Sequence, residues 1–268
     1  SCVVLQSRVV LNEALQLEYD RLFAECATRP ERDSEIDALA DALLADQGRY
    51  RAVGGRLGIP WFVAAALHYA DTGRDFEVHL HNGDPLTERT CHLPDGRPPE
   101  GEPPFAWEDS AVDALRLRRF DQWDDWSIAG LLFLLEAHGG WSYRLHHPEV
   151  LSPYLWNYST HYSQGKYVAD DTWNETAVAQ RCGVAVLLRR LAERGVIDFT
   201  GERPARPLAR YDRGEPSPVV EALQRFLNTL PGIFVKVDGL AGPRTSEAFH
   251  KLCGRYLLGD PRDSEPPH

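Results

Sequence analysis

The sequence predicts a mainly helical α+β protein: a larger helical domain with a small β-hairpin region, followed by a small C-terminal helical module. Three observations carry this. Apolar residues recur at helical spacing through most long segments. Between residues 71 and 102 the texture turns to Gly, Pro, Asn and Asp with short alternating stretches, the pattern of hairpins and loops. Residues 199–217 hold several prolines and arginines and few large apolar side chains, which reads as a linker. The expected division is 1–198 for the larger domain, with 1–34 as an N-terminal helical extension, then the linker, then 218–268 as the C-terminal module with a short polar tail.

The elements follow in order. Asn12 to Cys26 carries Leu15, Leu22 and Phe23 among charged residues, an amphipathic helix. Ser34 is a cap for a second helix running to about Tyr50, with Gly54, Gly55 and Gly58 as punctuation. Pro60 suits a helix start, where its missing N–H costs nothing. Trp61 to Tyr69 is almost wholly apolar, so that helix is expected to be buried on most sides. Phe76 to Leu80 alternates as a strand does. Asp109–Arg119 and Ile128–His138 read as helices, and Gly139 to Trp173 as a loop rich in Gly, Tyr, Trp and Pro. Thr176 to Arg194 reads as a helix with Val178, Cys182, Val186, Leu187 and Leu191 as its apolar stripe. In the last module Leu223, Phe226, Leu227 and Leu230 share a face. Gly232 lets the chain leave that helix, Asp238-Gly239 forms a turn, and Thr245 to Leu257 is a further helix.

The chain has 268 residues, 43% of them hydrophobic, enough for one large or two ordinary domains. Its net charge of −11 argues against tracking nucleic-acid phosphates. It gives no steering toward an anionic polymer either, so binding to one would rest on shape, hydrogen bonds and stacking. The five cysteines, Cys2, Cys26, Cys91, Cys182 and Cys253, are widely spaced without a C-x-x-C pair. They read as free, mostly buried thiols, with a disulfide between two of them as the other reading. No apolar run approaches membrane-spanning length, and residues 1–20 lack the pattern of a secretory signal.

Val220, Leu223-Gln224, Leu227-Asn228, Val237-Asp238-Gly239, Gly242, Thr245 and Ala248-Phe249 resemble the peptidoglycan-binding domain appended to many wall hydrolases. That resemblance implies a small three-helix bundle. The family often ends its pattern with Phe-Gln, where this chain has Phe249-His250. A small helical docking or dimerisation module is the competing reading. Upstream, the run from Ile59 to Gly73 is similar to the signature helix of lysozyme-like proteins, and Phe76 to Leu86 and Tyr154 to Val168 resemble bacterial and phage-associated members of that group. The resemblance covers roughly residues 35–195.

It implies a peptidoglycan-directed glycoside hydrolase, without cofactor or metal, acting on glycan strands in the cell envelope or outside the cell. Cytoplasmic storage before release fits as well. In that superfamily a buried helix ends in an acid, usually Glu, at the floor of a sugar cleft; here Asp71 stands there. Glycoside cleavage needs a carboxyl still protonated near neutral pH, and an apolar helix end supplies the low dielectric that raises its pKa. Asp is one methylene shorter, by about 1 Å, a displacement that can cost on the order of 100-fold in rate. The alternatives are therefore a hydrolase using Asp71 and a non-catalytic peptidoglycan-binding protein with a degenerate cleft, with Asp71 as a helix-terminal residue in a local hydrogen bond. A Cys or metal amidase or peptidase is a third, more distant reading.

Asp84 is the candidate second carboxylate, positioning water, and also reads as a turn residue before Pro85; Asp75 and Glu77 are alternatives. Candidate substrate-binding residues are His81, Asn82, Tyr158, His161, Tyr162, Lys166 and Tyr167. Aromatic rings pack on the C–H faces of sugars while the polar groups bond hydroxyls, and Tyr162 and Lys166 are the expected exposed members. Burial of Trp156 and Tyr158 in the core is the competing reading for this segment. His79, His81 and His92 do not assemble into a zinc set at this level. Cys91 with His92 makes a weak nucleophile pair, because catalytic Cys and His usually meet through the fold.

Overall fold

The computed structural model describes residues 9–199 and 209–262. Among them are eleven α-helices and one two-stranded antiparallel sheet. The chain thus folds as a mainly helical protein. The side chain of Asn12 accepts the Leu15 N–H at 3.0 Å and so caps α1 (Glu13–Ala24). α1 buries Leu15, Tyr19, Leu22 and Phe23 and packs on α6 (Ile128–Gly139). This segment is therefore part of the core rather than an appended extension.

The single helix expected after Ser34 is two helices, α2 (Asp33–Ala45) and α3 (Gln47–Leu57), broken at Asp46. The Asp46 carboxylate accepts an Arg74 N–H at 2.8 Å. α3 runs straight through Gly54 and Gly55. A Cβ on Gly54 would lie 2.6 Å from the Ile59 carbonyl oxygen, so glycine there permits the close corner into α4 (Trp61–Thr72). In α4 every residue from Trp61 to Tyr69 is buried, as the apolar run predicts. The helix ends with Gly73 in the left-handed region, and the Gly73 and Arg74 N–H groups return to the Tyr69 and His68 carbonyls.

His68 is fully buried in α4. Its Nδ1 accepts the Tyr50 hydroxyl at 3.0 Å, and its Nε2–H donates to the Asp75 carbonyl at 3.0 Å. Burial pushes its pKa down to about 4, against about 6.5 in an unfolded chain. Between those values the unfolded chain holds a proton that the folded chain refuses, so stability is full above pH 6.5 and falls with acid. The expected fall is about 3 kcal/mol by pH 4. Urea titrations at stepped pH check it, and His68→Gln should flatten the profile over this window.

Residues 73–106 form neither helix nor ladder strand, and one isolated bridge, Val78 with Pro85, stands where the hairpin was expected. The alternation there serves burial instead. His79 is buried between the Ser110 hydroxyl (2.6 Å) and the Glu88 carbonyl (2.8 Å). α5 (Trp107–Leu117) and α6 fall where expected, α6 being capped by the Ser127 hydroxyl.

The stretch expected as a loop holds α7 (Ser142–His146), α8 (Pro153–Trp156) and the antiparallel pair β1 (Lys166–Ala169) and β2 (Thr172–Asn174). Lys166 pairs with Asn174 and Tyr167 with Trp173. α9 (Val184–Glu193) begins later than the apolar stripe suggested, leaving Val178 exposed. A Cβ on Gly183 would fall 2.2 Å from the Leu155 carbonyl oxygen, so this residue lets α9 start directly against α8.

In the C-terminal module two helices, α10 (Pro218–Leu227) and α11 (Pro243–Cys253), stand among residues 209–262 where a three-helix bundle was expected. Gln224, buried on α10, organises the turn between them. Its Oε1 accepts the Asp238 and Gly239 N–H groups, both at 2.9 Å, and its Nε2 donates to Asp238 and to the Leu240 carbonyl. The described part of the expected linker belongs to this module: the Tyr211 and Asp212 N–H groups donate to the Leu258 and Ala241 carbonyls. Residues 200–208 of that linker lie outside the described residues. α11 packs on α1, and Arg255 pairs with Glu13 across the contact.

Beneath it lies a buried ionic cluster. Arg144 donates to Glu18 at 2.7 Å and through two nitrogens to Glu136 at 3.0 and 2.9 Å. The Tyr19 hydroxyl also donates to Glu136. The guanidinium carbon lies 5.7 Å from the Phe226 ring centroid of α10.

Candidate functional site

A cleft of about 840 Å³ opens beside the C-terminal end of α4. That volume is within the range of small-ligand sites. One wall is Ala70 at the end of α4 and Gly139-Gly140 at the end of α6. The other is the β1–β2 hairpin, with Lys166, Tyr167, Asp170 and Asp171, and the floor includes Tyr154 and the segment 179–182. Arg181 fixes that segment by donating to the Ala70 carbonyl at 2.7 Å, and the Asn157 side chain holds it from behind through the Ala179 and Arg181 carbonyls. A Cβ on Gly139 would sit 2.7 Å from the Tyr154 ring, so glycine lets Tyr154 pack closely against the end of α6. Cations and carboxylates both line the cleft, which suits a polar, hydroxyl-rich ligand better than a strongly charged one.

Asp71 occupies the last turn of α4, next to Ala70. Its carboxylate accepts His138 Nε2–H at 2.9 and 3.2 Å and Arg118 Nη1–H at 3.1 Å. Arg118 reaches on to the Leu80 and His81 carbonyls, so one guanidinium ties α4, α5 and the following loop together. Burial alone would raise the Asp71 carboxyl. The His138 hydrogen bond and charge, together with Arg118, reverse this and hold it below the usual carboxylate range. An acid that is protonated near neutral pH was expected here, and this environment favours the ionised form instead. The Tyr154 hydroxyl is buried without a hydrogen-bond partner, and burial first, then the Asp71 charge, pushes its pKa well up.

Of the substrate-binding candidates, Lys166 and Tyr167 line the cleft. Tyr162, expected to be exposed, is buried: its hydroxyl donates to the Gly165 carbonyl and accepts the Ala179 N–H, both at 3.1 Å. Tyr158 is also buried, its hydroxyl 2.7 Å from Glu35 Oε1, with the Arg32 guanidinium over its ring. His161 is turned to the Leu22 carbonyl at 2.7 Å, and His81 to the Asp113 carboxylate at 2.7 Å. None of these four lines the cleft; Tyr158 and Tyr162 support it through the Gln180 carbonyl and the Ala179 N–H, while His161 and His81 brace other parts of the fold.

Asp84 and Asn82 belong to a separate loop. Asp84 Oδ2 accepts the Cys91 and His92 N–H groups and an Asn82 Nδ2–H, and its Oδ1 accepts His92 Nδ1–H at 2.7 Å. The His92 backbone and side-chain bonds drive its pKa far below the usual range, which makes it a very weak base. It does not line the cleft.

Arg118 and His138 hold Asp71 without lining the cleft, Tyr154 does line it, and no local pattern marks these three. The one available hint is that His138 ends a helix that is otherwise apolar except for Glu136, and a polar group in such a helix needs a partner. Among the described cysteines, Cys26 and Cys182 are buried free thiols and Cys91 is exposed. No described helix is long and apolar enough to cross a membrane.

The C-terminal module carries its own groove of about 460 Å³, edged by the fully projecting Phe234 with Arg244, Lys251 and Arg262. Phe249, of the Phe-His pair, is core, and His250 stacks on Tyr256 with ring centroids 4.2 Å apart. Set against protein-family models, curated proteins and solved structures, the chain matches none of the three.

Proposed function

We propose that the chain binds glycan strands of peptidoglycan in the cleft at the end of α4, with the C-terminal module as a second wall contact, and that it works in the cell envelope or outside the cell. The cleft itself carries the reading. It is an open groove with tyrosine rings, a lysine and mixed polar groups, at the end of the helix whose sequence resembles the lysozyme-like signature. Aromatic faces with a few placed polar groups are what a sugar chain requires. The ion-paired Asp71 favours binding without cleavage, because a carboxylate held by His138 and Arg118 has no proton to give at neutral pH. One observation keeps the hydrolase reading as the second: Asp71 stands in the last turn of α4 next to Ala70, which lines the cleft, while Asp71 itself does not line it.

Sedimentation with insoluble peptidoglycan, with reducing ends assayed in the supernatant, separates them. The expected result is retention without new reducing ends. Lys166→Ala and Tyr167→Ala should each weaken retention about tenfold, ~1.4 kcal/mol. Release of reducing ends that Asp71→Asn abolishes would establish the hydrolase reading instead. A chain that neither sediments with the polymer nor releases reducing ends would end both.

A further inference from the structure

The loop after α4 carries a second concentration of chemistry, outside the cleft. Asp84, Cys91 and His92 bring an oxygen, a sulfur and a ring nitrogen within 4.8 Å of one another. Cys91 Sγ lies 3.5 Å from His92 Nδ1, which lies 2.7 Å from Asp84 Oδ1. The carboxylate is anchored from behind. Its Oδ2 accepts the Cys91 N–H (2.8 Å), the His92 N–H (2.9 Å) and an Asn82 Nδ2–H (3.1 Å), while Asn82 Oδ1 accepts the Asp84 N–H at 3.0 Å. These bonds fix the backbone of residues 91 and 92, so both side chains start from a held position. They leave Oδ1 as the edge of the carboxylate that faces the other two donors. The Cys91 and His92 side chains are exposed, and Asp84 is buried beneath them.

We propose that Asp84, Cys91 and His92 form a binding site for a thiophilic divalent cation of the zinc class, with the remaining coordination position open to water. The donor set is one that zinc takes: thiolate, imidazole and carboxylate. With metal–sulfur and metal–nitrogen bonds of about 2.3 and 2.0 Å, a tetrahedral centre separates its S and N ligands by about 3.5 Å. That is the separation between Cys91 Sγ and His92 Nδ1. The nitrogen–oxygen pair of such a centre stands about 3.3 Å apart, so the Asp84–His92 pair opens from its 2.7 Å hydrogen bond as the cation takes the place of the shared proton. The Cys91 thiol proton goes to solvent. The imidazole exchanges its Nδ1 proton for one on Nε2, and no group is oxidised or reduced. Two negative ligands then neutralise a dication. The Asn82 and backbone bonds to Oδ2 are the outer partners that keep a carboxylate ligand oriented.

The competing use of this pair is as a nucleophile, and the surroundings oppose it. Desolvation and the Asp84 carboxylate raise the Cys91 thiol above its ordinary range, whereas an activated cysteine is lowered. His79 and His81 stay out of the cluster, being bonded to Ser110 and Glu88 and to Asp113 respectively.

The test is titration of the chelator-treated full chain with cobalt(II), whose thiolate charge-transfer and tetrahedral visible bands report the ligands directly. One equivalent should produce both bands, and one equivalent of zinc should remove them. Cys91→Ser should abolish the thiolate band. His92→Ala should weaken binding by at least the 10- to 100-fold, roughly, that loss of an outer partner costs. Cys2→Ser/Cys253→Ser should keep both bands. Thermal melting in the absence of metal checks that each variant folds. A wild-type chain without a thiolate band at one equivalent, or a Cys91→Ser chain that keeps it, would overturn the proposal.

Discussion

Replacing Asp71 with alanine is expected to lower the folding free energy by about 3 kcal/mol, the low end of what breaking a buried ion pair costs. The low end applies because the Asp71 and Arg118 side chains remain 19% and 25% exposed. Removal of the carboxylate leaves the Arg118 guanidinium and His138 facing each other without a counter-charge. Asp71→Asn keeps the shape and one acceptor and should cost less. Because folding holds the Asp71 carboxyl below its unfolded value, its contribution is complete above about pH 3.9 and is lost as acid protonates the folded carboxyl. The difference between wild type and Asp71→Ala in urea titrations should therefore shrink in acid. A wild type and an Asp71→Ala chain of equal stability at pH 7 would remove the ion pair from the account of this site.

Arg144→Met is expected to cost still more, about 4 kcal/mol, because it strands Glu18 and Glu136 together in the interior. Their side chains are only 7% and 4% exposed, so water cannot take over the lost contacts. The triple variant Glu18→Met/Glu136→Met/Arg144→Met should recover most of the loss, since a well-packed apolar replacement of a buried ion cluster is often neutral. Chemical denaturation of the three chains side by side decides this. A triple variant no more stable than Arg144→Met would mean that packing, not charge, sets the cost.

How far the sequence carries depends on distance along the chain. α1, α4 and α6 are legible because a helix buries a stripe that repeats within a few residues. The break between α2 and α3 is not, because helix-forming residues run across Asp46 and the residue that pairs with it there, Arg74, comes from beyond α4. Phe76 to Leu80 alternates like a strand, yet its pairing with residues 84–86 stops at the Val78–Pro85 bridge and two backbone bonds. The pull of Ser110 on His79 and of Asp113 on His81 decides that segment instead. At the site, Asp71 is legible as the end of an apolar run. Its partners Arg118 and His138 lie 47 and 67 residues away, joined only by the fold. Aromatic density around Tyr154–Tyr167 points to the cleft but cannot tell Tyr167, which lines it, from Tyr162, which props it from within.

The seating of α11 on α1, with Arg255 on Glu13 and Phe226 over Arg144, bears on the proposed polymer binding. A module on a free tether samples many separations, and its help to a second site falls as the tether lengthens. A module seated on the larger domain offers its groove at one spacing from the cleft. If the proposed binding to a repeating strand holds, avidity then depends on whether that spacing matches a whole number of repeats, so the geometry would select strands by their repeat.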